Sequence, residues 1–225
     1  MKTPILLFAV CVTLAVVPAM AQVVYSNGPT NGNTDAWTIN FGFIVSDSFN
    51  LSMATTITGA TFAMWLEPAA PVGPCAHCAY GGDTLETAEL SITSLENGGT
   101  SYFDQMLNFT QSNCVANSYG YNICQENTSF NGPSLNAGTY WLNLQNAVTR
   151  EGNPVYWDEN SGPSLASQNM VGTIPSESFT LLGSFELKNS PDGSQQSSTP
   201  EPSSILMLGA GILSVASLFR LKIHR

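Results

Sequence analysis

The sharpest chemical motif in the chain is a pair of cysteines separated by two residues, Cys75-Ala76-His77-Cys78. Such a pair can supply half of a zinc site, carry out thiol–disulfide exchange, or close a local disulfide. Cys114 and Cys124 lie downstream and offer either two more zinc ligands or a second disulfide. Because both ends of the chain indicate export, we favour disulfides and expect Cys114 to pair with Cys124, which leaves Cys75 with Cys78. Zinc and redox chemistry stay open as alternatives.

Residues for catalysis are sparse. A serine or cysteine nucleophile needs a histidine within hydrogen-bonding reach, yet His77 lies inside the cysteine motif and His224 lies close to the C-terminus. A glycosidase needs two carboxyl groups across a cleft. The best cluster of acids beside aromatics is Tyr156-Trp157-Asp158-Glu159, but adjacent carboxylates are more typical of a solvated turn or a cation site. We therefore expect no enzymatic activity and keep a secreted glycoside hydrolase as the alternative.

Carbohydrate binding fits the residue types better, because aromatic rings stack on sugars while amides and carboxylates hydrogen-bond to hydroxyl groups. Trp141 is the leading candidate. Its apolar neighbours occupy one face of a predicted strand, so Trp141 shares the other face with Asn143 and Gln145. Tyr156 and Trp157 are the other candidates for stacking on a glycan. The alternative is that Trp141 only covers the edge of the core.

The chain is acidic, with 16 Asp and Glu against 6 Lys and Arg and a net charge of −10. Nucleic acids bind basic patches, so none is expected as a partner. Acidic loops can bind Ca²⁺ through carboxylate and carbonyl oxygens. Asp158 and Glu159 are the candidates for such a site, although no EF-hand spacing is present. No other cofactor is expected.

Period-two alternation of apolar and polar residues dominates the middle of the chain and is typical of antiparallel sheets with one buried face. The alternating stretches are residues 37–45, 62–66, 88–92, 140–144 and 179–187. Turn sequences such as Asn27-Gly28-Pro29 and Asn97-Gly98-Gly99 separate them. The pattern predicts an all-β fold, an antiparallel β-sandwich of jelly-roll type with eight to ten strands.

Residues 1–21 have the pattern of a secretory signal peptide, which is expected as an N-terminal helix. Lys2 gives the positive start, an apolar run from residue 5 to residue 17 follows, and Ala19-Met20-Ala21 matches a small-residue cleavage site. We expect cleavage to leave Gln22 as the first residue of the exported protein.

The C-terminal residues 200–225 fall into three parts: Pro200-Glu201-Pro202, an uncharged run over 203–219, and a basic end with Arg220, Lys222 and Arg225. As a helix the uncharged run is about 26 Å long at roughly 1.5 Å per residue, just enough to cross the hydrocarbon core of a bilayer. The basic end stays cytoplasmic by the positive-inside rule, so the residues before it are expected outside. A buried core helix is the alternative.

This order of Pro-Glu-Pro, apolar span and basic end resembles the PEP-CTERM sorting signal of Gram-negative bacteria, also called the ice-binding-protein C-terminal domain. The resemblance implies export and then processing near Pro200 by an exosortase-type enzyme, which releases or re-anchors the protein. It covers only the tail and implies no activity for the residues that precede it.

These patterns predict a signal peptide over 1–21, a β-sandwich domain over 22–188, a flexible spacer over 189–199 and a sorting tail over 200–225 with a single transmembrane helix. We expect a protein that is anchored in the membrane transiently or permanently and then lies at the cell surface or outside the cell. We expect it to act as a non-catalytic structural or interaction protein of the cell surface or an exopolysaccharide matrix. The alternative is a lectin-like module that binds extracellular polysaccharide.

Overall fold

The computed structural model describes residues 21–68 and 82–186, and the strands in these two ranges pair only in antiparallel fashion. No helix occurs in either range. The strands are β1 (Gln22–Ser26), β2 (Ala36–Thr38), β3 (Ile44–Leu51), β4 (Thr55–Leu66), β5 (Leu85–Leu95), β6 (Gly98–Asn108), β7 (Thr110–Ala116), β8 (Asn122–Ser129), β9 (Ser134–Leu135), β10 (Gly138–Thr149), β11 (Val155–Asp158), β12 (Ala166–Gln168), β13 (Gly172–Ile174) and β14 (Phe179–Phe185). The predicted all-β, antiparallel class is confirmed for these residues.

The first sheet is organised around β4. One edge of β4 pairs with β14 and then with β11, while the other edge pairs with β9 and then with β8. Strand β1 extends the sheet beyond β14, β2 extends it beyond β11, and β7 extends it beyond β8. Because β4 has partners along both edges, it fixes the relative positions of the loops at either end of this sheet.

The second sheet has six strands in the order β13-β12-β3-β10-β5-β6. Strand β10 lies at its centre and pairs along most of its length with both β3 and β5. The connections between neighbouring strands in this order are non-local in several places, for example between β3 and β10. Such pairing of distant segments is typical of two-sheet β-folds.

A single core fills the space between the sheets. The predicted alternation is confirmed by the burial of Phe62 and Met64 from the first sheet and of Leu90 and Leu142 from the second. Each is at most 1% exposed, and burial of one such side chain is worth about 1.5–3 kcal/mol. The two antiparallel sheets and their shared core fit a β-sandwich.

The continuous strand predicted over residues 37–45 is interrupted by a turn at 39–43, so that prediction is wrong in its middle. Phe41 and Gly42 both have positive φ angles, 57° and 88°, and a backbone hydrogen bond closes the turn. The turn carries Phe41 to the surface, where 66% of it is exposed. Alternating aromatics cannot reveal this turn, because the first residue with positive φ is not a glycine.

The described ranges contain more strands than the eight to ten expected. The additional strands are short: β2, β9, β11, β12 and β13 have four residues or fewer. A segment of this length is too short to show a hydrophobic period. Their existence depends on neighbouring strands that provide backbone hydrogen bonds.

The predicted disulfide between Cys114 and Cys124 is confirmed. It joins the edge strand β7 to β8, next to the turn that connects them. Cys124 faces the core and is 1% exposed. The second predicted pair, Cys75 and Cys78, lies outside the described residues.

The predicted signal peptide, apart from its last residue, and the whole sorting tail also lie outside the described residues. Within 21–68 and 82–186, no helix is long and apolar enough to cross a membrane.

Candidate functional site

Tyr156 and Trp157 are adjacent in β11 and therefore face opposite sides of the first sheet. Trp157 is 0% exposed. Its ring packs edge-on against Phe62 at 5.4 Å between centroids, and its indole N–H donates to the carbonyl oxygen of Ser178 at 2.9 Å. The prediction that Trp157 stacks on a glycan is wrong, because in so short a strand the sequence does not show which of two neighbouring aromatics faces the core.

Trp141 is half-buried on the outer face of the second sheet, opposite Thr93 in β5. The amides predicted beside it are already engaged. Asn143 is 2% exposed and donates from Nδ2 to the Thr93 hydroxyl at 3.0 Å, while Gln145 donates to Glu89 at 2.7 Å. The structure thus places Trp141 on a polar face whose amides already bind hydroxyl and carboxylate groups of β5.

Tyr156 lies on the opposite side of the molecule's core from that face, in a cluster of aromatic rings. Tyr119 stacks on Trp65 with ring centroids 5.7 Å apart and an interplanar angle of 23°. Tyr121 contacts both Trp65 and Tyr156, each with centroids 5.7 Å apart. We call Trp65, Tyr119, Tyr121 and Tyr156 the aromatic cleft. Three of these rings, Trp65, Tyr121 and Tyr156, line a cavity of about 150 Å³ together with Asp35 and Ala36, while Tyr119 lies outside its lining. This volume is small beside the roughly 300 Å³ or more of a site that encloses a whole small molecule.

Two strands and one turn position these rings. Trp65 in β4 and Tyr156 in β11 are direct cross-strand partners, so their side chains emerge on the same face. Tyr119 and Tyr121 come from the turn between β7 and β8. The Asn117 side-chain oxygen accepts the backbone N–H groups of both tyrosines at 3.0 Å, and Gly120 between them has a φ of 91°. This conformation suits a glycine and places the two tyrosines on the same side of the turn.

Asp158 fixes the floor of the aromatic cleft. Its carboxylate accepts hydrogen bonds from the backbone N–H groups of Asn31 and Gly32, the indole of Trp65 and the hydroxyl of Ser178, at 2.7–2.9 Å. It is 0% exposed. With four donors on two oxygens, Asp158 is an anchor that orients Trp65 and ties the loop before β2 to β11.

A second concavity adjoins the cleft across the same turn. It encloses about 420 Å³, and we call it the amide groove because five side-chain amides line it. These are Asn31, Asn33, Asn113, Asn117 and Gln125. The Tyr119 hydroxyl donates to the backbone oxygen of Asn33 at 3.2 Å, and Asn33 lines the amide groove, so Tyr119 connects the aromatic cleft to this groove. Amides both donate and accept hydrogen bonds, as the hydroxyl groups of a sugar do.

The charged groups around the cleft are acidic. Burial, Tyr121 and the charge of Glu67 together raise the pKa of Tyr156 to about 12, so its phenol keeps its proton at neutral pH. Asp35 lines the cleft, Glu67 acts on Tyr156 and Asp158 binds Trp65, and all three are acidic. Arg150 is the only Lys, Arg or His within residues 21–68 and 82–186, and it interacts with Glu151 at 3.2 Å.

The predicted calcium residues are occupied by the fold itself. Asp158 binds its four donors, and Glu159 accepts the indole N–H of Trp37 at 3.1 Å. In the two described ranges, no three His, Cys, Asp or Glu side chains meet closely enough to hold a metal ion.

The sequence identified one of the four rings of the cleft, Tyr156. The alternation over residues 62–66 does not show whether Trp65 faces the core or the surface, and none of the motifs identified in the sequence includes Tyr119 or Tyr121. A signal for the latter exists in Tyr119-Gly120-Tyr121, where a turn glycine between two aromatics indicates that both rings lie at one loop. The chain matches no protein-family model and has no significant match among curated proteins.

Proposed function

We propose that this chain is an exported, non-catalytic protein of the cell surface or exopolysaccharide matrix, and that its β-domain binds neutral polysaccharide. The observation that carries the binding part is the convergence of Trp65, Tyr119, Tyr121 and Tyr156 beside a groove lined by side-chain amides. The export part rests on the sequence of the two ends. We also infer that the two sheets have jelly-roll-like connections.

Each part of the proposed site has a separate role. Tyr119, of which 60% is exposed, offers an open ring face because Trp65 supports the other face. A sugar ring stacks there through its C–H groups, and the amide groove binds hydroxyl groups of the neighbouring units. The small cleft and the longer groove suit a few units of an extended polymer better than an enclosed small molecule.

The charged groups at the cleft guide the choice of ligand, because all of them are acidic. These groups are Asp35, Glu67 and the buried Asp158, so an anionic polysaccharide would meet like charge. Neutral glycans avoid this cost. The engagement of Asp158 with four donors supports a binding role over hydrolysis, since a glycosidase needs both of its carboxyl groups free to act.

The sorting tail gives the proposed location. We infer that Pro200-Glu201-Pro202 is read by an exosortase-type enzyme after the signal peptide is removed, and that the apolar run over 203–219 holds the chain in the membrane until then. The β-domain then faces the matrix, where polysaccharide is the most abundant surface to bind.

The proposal predicts that Tyr119→Ala and Tyr156→Ala weaken binding to neutral polysaccharide by about tenfold or more each, because each removes a stacking surface. Affinity electrophoresis through gels that contain soluble β-glucan, α-glucan, galactan or mannan measures this directly. Polysaccharide purified from the producing cells completes the panel.

Phe41→Ala is the matched control, because Phe41 is an exposed aromatic residue outside the cleft. It should leave the affinity unchanged. The proposed binding function is contradicted if no glycan of the panel retards the wild-type chain, or if the cleft variants migrate like the Phe41 variant.

A further inference from the structure

Asp47 occupies a position in the sandwich where an apolar residue is expected. In β3 it lies two residues from Val45 and two from Phe49, and all three point into the core. Asp47 is 0% exposed. A carboxylate in such a place is costly unless a partner compensates its charge.

A second buried acid faces it from the other sheet. Glu177 lies just before β14 and is also 0% exposed. Its backbone N–H donates to Oδ2 of Asp47 at 2.6 Å, and it forms an isolated β-bridge with Glu159. Two acids from different sheets, Asp47 and Glu177, thus meet between the sheets.

The carboxylate oxygens of this pair are left without partners. Oδ2 of Asp47 accepts from Asn27 at 3.0 Å and from the backbone of Glu177, but Oδ1 accepts nothing. Both side-chain oxygens of Glu177 lack any hydrogen-bond partner. Buried polar atoms are almost always satisfied, so three unsatisfied oxygens on two adjacent acids point to a missing positive partner.

The described part of the protein offers no such partner. Its single basic residue, Arg150, interacts with Glu151 and with the carbonyl oxygen of Gly82 at the surface. The neutral groups beside the pair are Asn27 and Ser164, which are hydrogen-bonded to each other at 2.6 Å. Within residues 21–68 and 82–186, no basic side chain compensates this pair, which leaves a cation from solution or protonation of the carboxyl groups.

We propose that Asp47 and Glu177 form a binding site for one divalent cation of the calcium type, which joins β3 of the second sheet to the segment before β14 in the first. The unpaired oxygens of both carboxylates would be its ligands, and the Ser164 hydroxyl beside Asp47 offers a neutral oxygen. Because only two carboxylates contribute, neutral oxygens and water complete the coordination, as calcium accepts. Mg²⁺ fits less well, since it demands a near-ideal octahedron and gives up its waters reluctantly.

Protonation is the competing way for this pair to lose its charge. Burial raises the pKa of Asp47 to about 7, and burial together with the charge of Asp47 raises the pKa of Glu177 well above its ordinary value. If the pair is protonated, Ca²⁺ at pH 7.5 leaves the melting temperature unchanged. If the pair binds a cation, Ca²⁺ raises the melting temperature, because an ion that binds only the folded state stabilises that state.

The test is calcium binding by the full chain in detergent at pH 7.5, after treatment with EGTA. Equilibrium dialysis with Ca²⁺ should give one ion per chain, and the melting temperature should rise with Ca²⁺ more than with Mg²⁺. Absence of stoichiometric binding together with an unchanged melting temperature overturns the proposal in favour of the protonated pair.

Glu177→Gln identifies the site. It should lower the affinity for Ca²⁺ by about tenfold or more through the loss of one ligand charge, and it should melt higher than the wild type in EGTA because it removes an uncompensated charge. Glu126→Gln is the matched control, since Glu126 is also 0% exposed with both oxygens unpaired but lies in β8. If Glu177→Gln binds Ca²⁺ as tightly as Glu126→Gln does, the assigned site is wrong.

Discussion

Glu126 shows how one residue can make the stability of this fold depend on pH. It lies in β8 opposite Phe62 and points into the core, with 0% exposure and no hydrogen-bond partner on either carboxylate oxygen. Burial raises its pKa from 4.5 to about 7, and the nearby Gln111 amide offsets only part of this rise. The folded state therefore keeps a proton that the unfolded chain releases at lower pH.

This shift predicts a pH-dependent effect of Glu126→Gln. Because the pKa is raised in the folded state, Glu126 contributes no penalty below about pH 4.5, and the free energy of unfolding falls as the pH rises toward 7. The Gln variant removes that loss, so it should be more stable than the wild type by about 1–3 kcal/mol at pH 8, and the difference should shrink toward pH 5. Urea unfolding at both pH values measures it.

Glu96→Gln is the control for this prediction. Glu96 is exposed in the turn between β5 and β6, so its amide variant should match the wild type at both pH values. A difference between Glu126→Gln and the wild type that stays constant from pH 5 to pH 8 would show that Glu126 does not titrate in this range.

Single residues also show which positions could be assigned from the sequence and which could not. Alternation predicted the inward positions of Phe62, Leu90 and Leu142 because each lies in a long strand with one apolar face. It could not assign Trp157, which follows another aromatic residue in a strand of four. Nor could it identify Asp47 as a core-facing acid, because its partner Glu177 is distant in sequence and comes from the other sheet.

At the scale of elements, the hairpin of β7 and β8 connects the disulfide to the candidate site. Strand β7 is an edge strand with mostly exposed side chains, so few apolar contacts hold it. The bond between Cys114 and Cys124 fastens it to β8. The turn that carries Tyr119 and Tyr121 lies between these strands, so the position of both rings depends on the hairpin.

Removal of the disulfide should therefore loosen the hairpin before the rest of the sandwich. For a closed loop of this size, Cys114→Ser with Cys124→Ser should lower the free energy of unfolding by about 2–3 kcal/mol. Hydrogen exchange should quicken in β7 and in the turn over 117–121, while the amides of β10 at the centre of the second sheet stay protected. Equal loss of protection in β7 and β10 contradicts this account, since it means that the bond supports the whole core.

The elements that sequence predicted best are those whose pattern is local. Long strands such as β4, β5 and β10 carry enough alternating positions to be identified, and the Cys114–Cys124 pairing follows from their short separation. The turn at 39–43 and the five shortest strands depend on neighbours far along the chain. The aromatic cleft belongs to the second group, because β4, β11 and the β7–β8 turn contribute to it together.

The whole molecule combines a folded β-domain with two terminal segments that we propose direct its export and sorting. The domain supplies two antiparallel sheets, a shared core and a candidate glycan site, and the ends supply the proposed export and sorting. Composition alone indicated the acidic character of the chain, because 16 acids against 6 bases leave little that could attract a nucleic acid. It could not indicate where the aromatic rings converge.

The central claim is that the protein is exported and then processed near its Pro-Glu-Pro motif. Intact mass spectrometry of the protein from the producing bacterium, taken separately from membrane and medium, tests this most directly. The account predicts a species that begins at Gln22 and ends near Pro200, and it predicts that Glu201→Ala accumulates as a longer chain in the membrane. A wild-type protein that retains every residue through Arg225 in all fractions would contradict the claim and leave an ordinary single-span membrane protein.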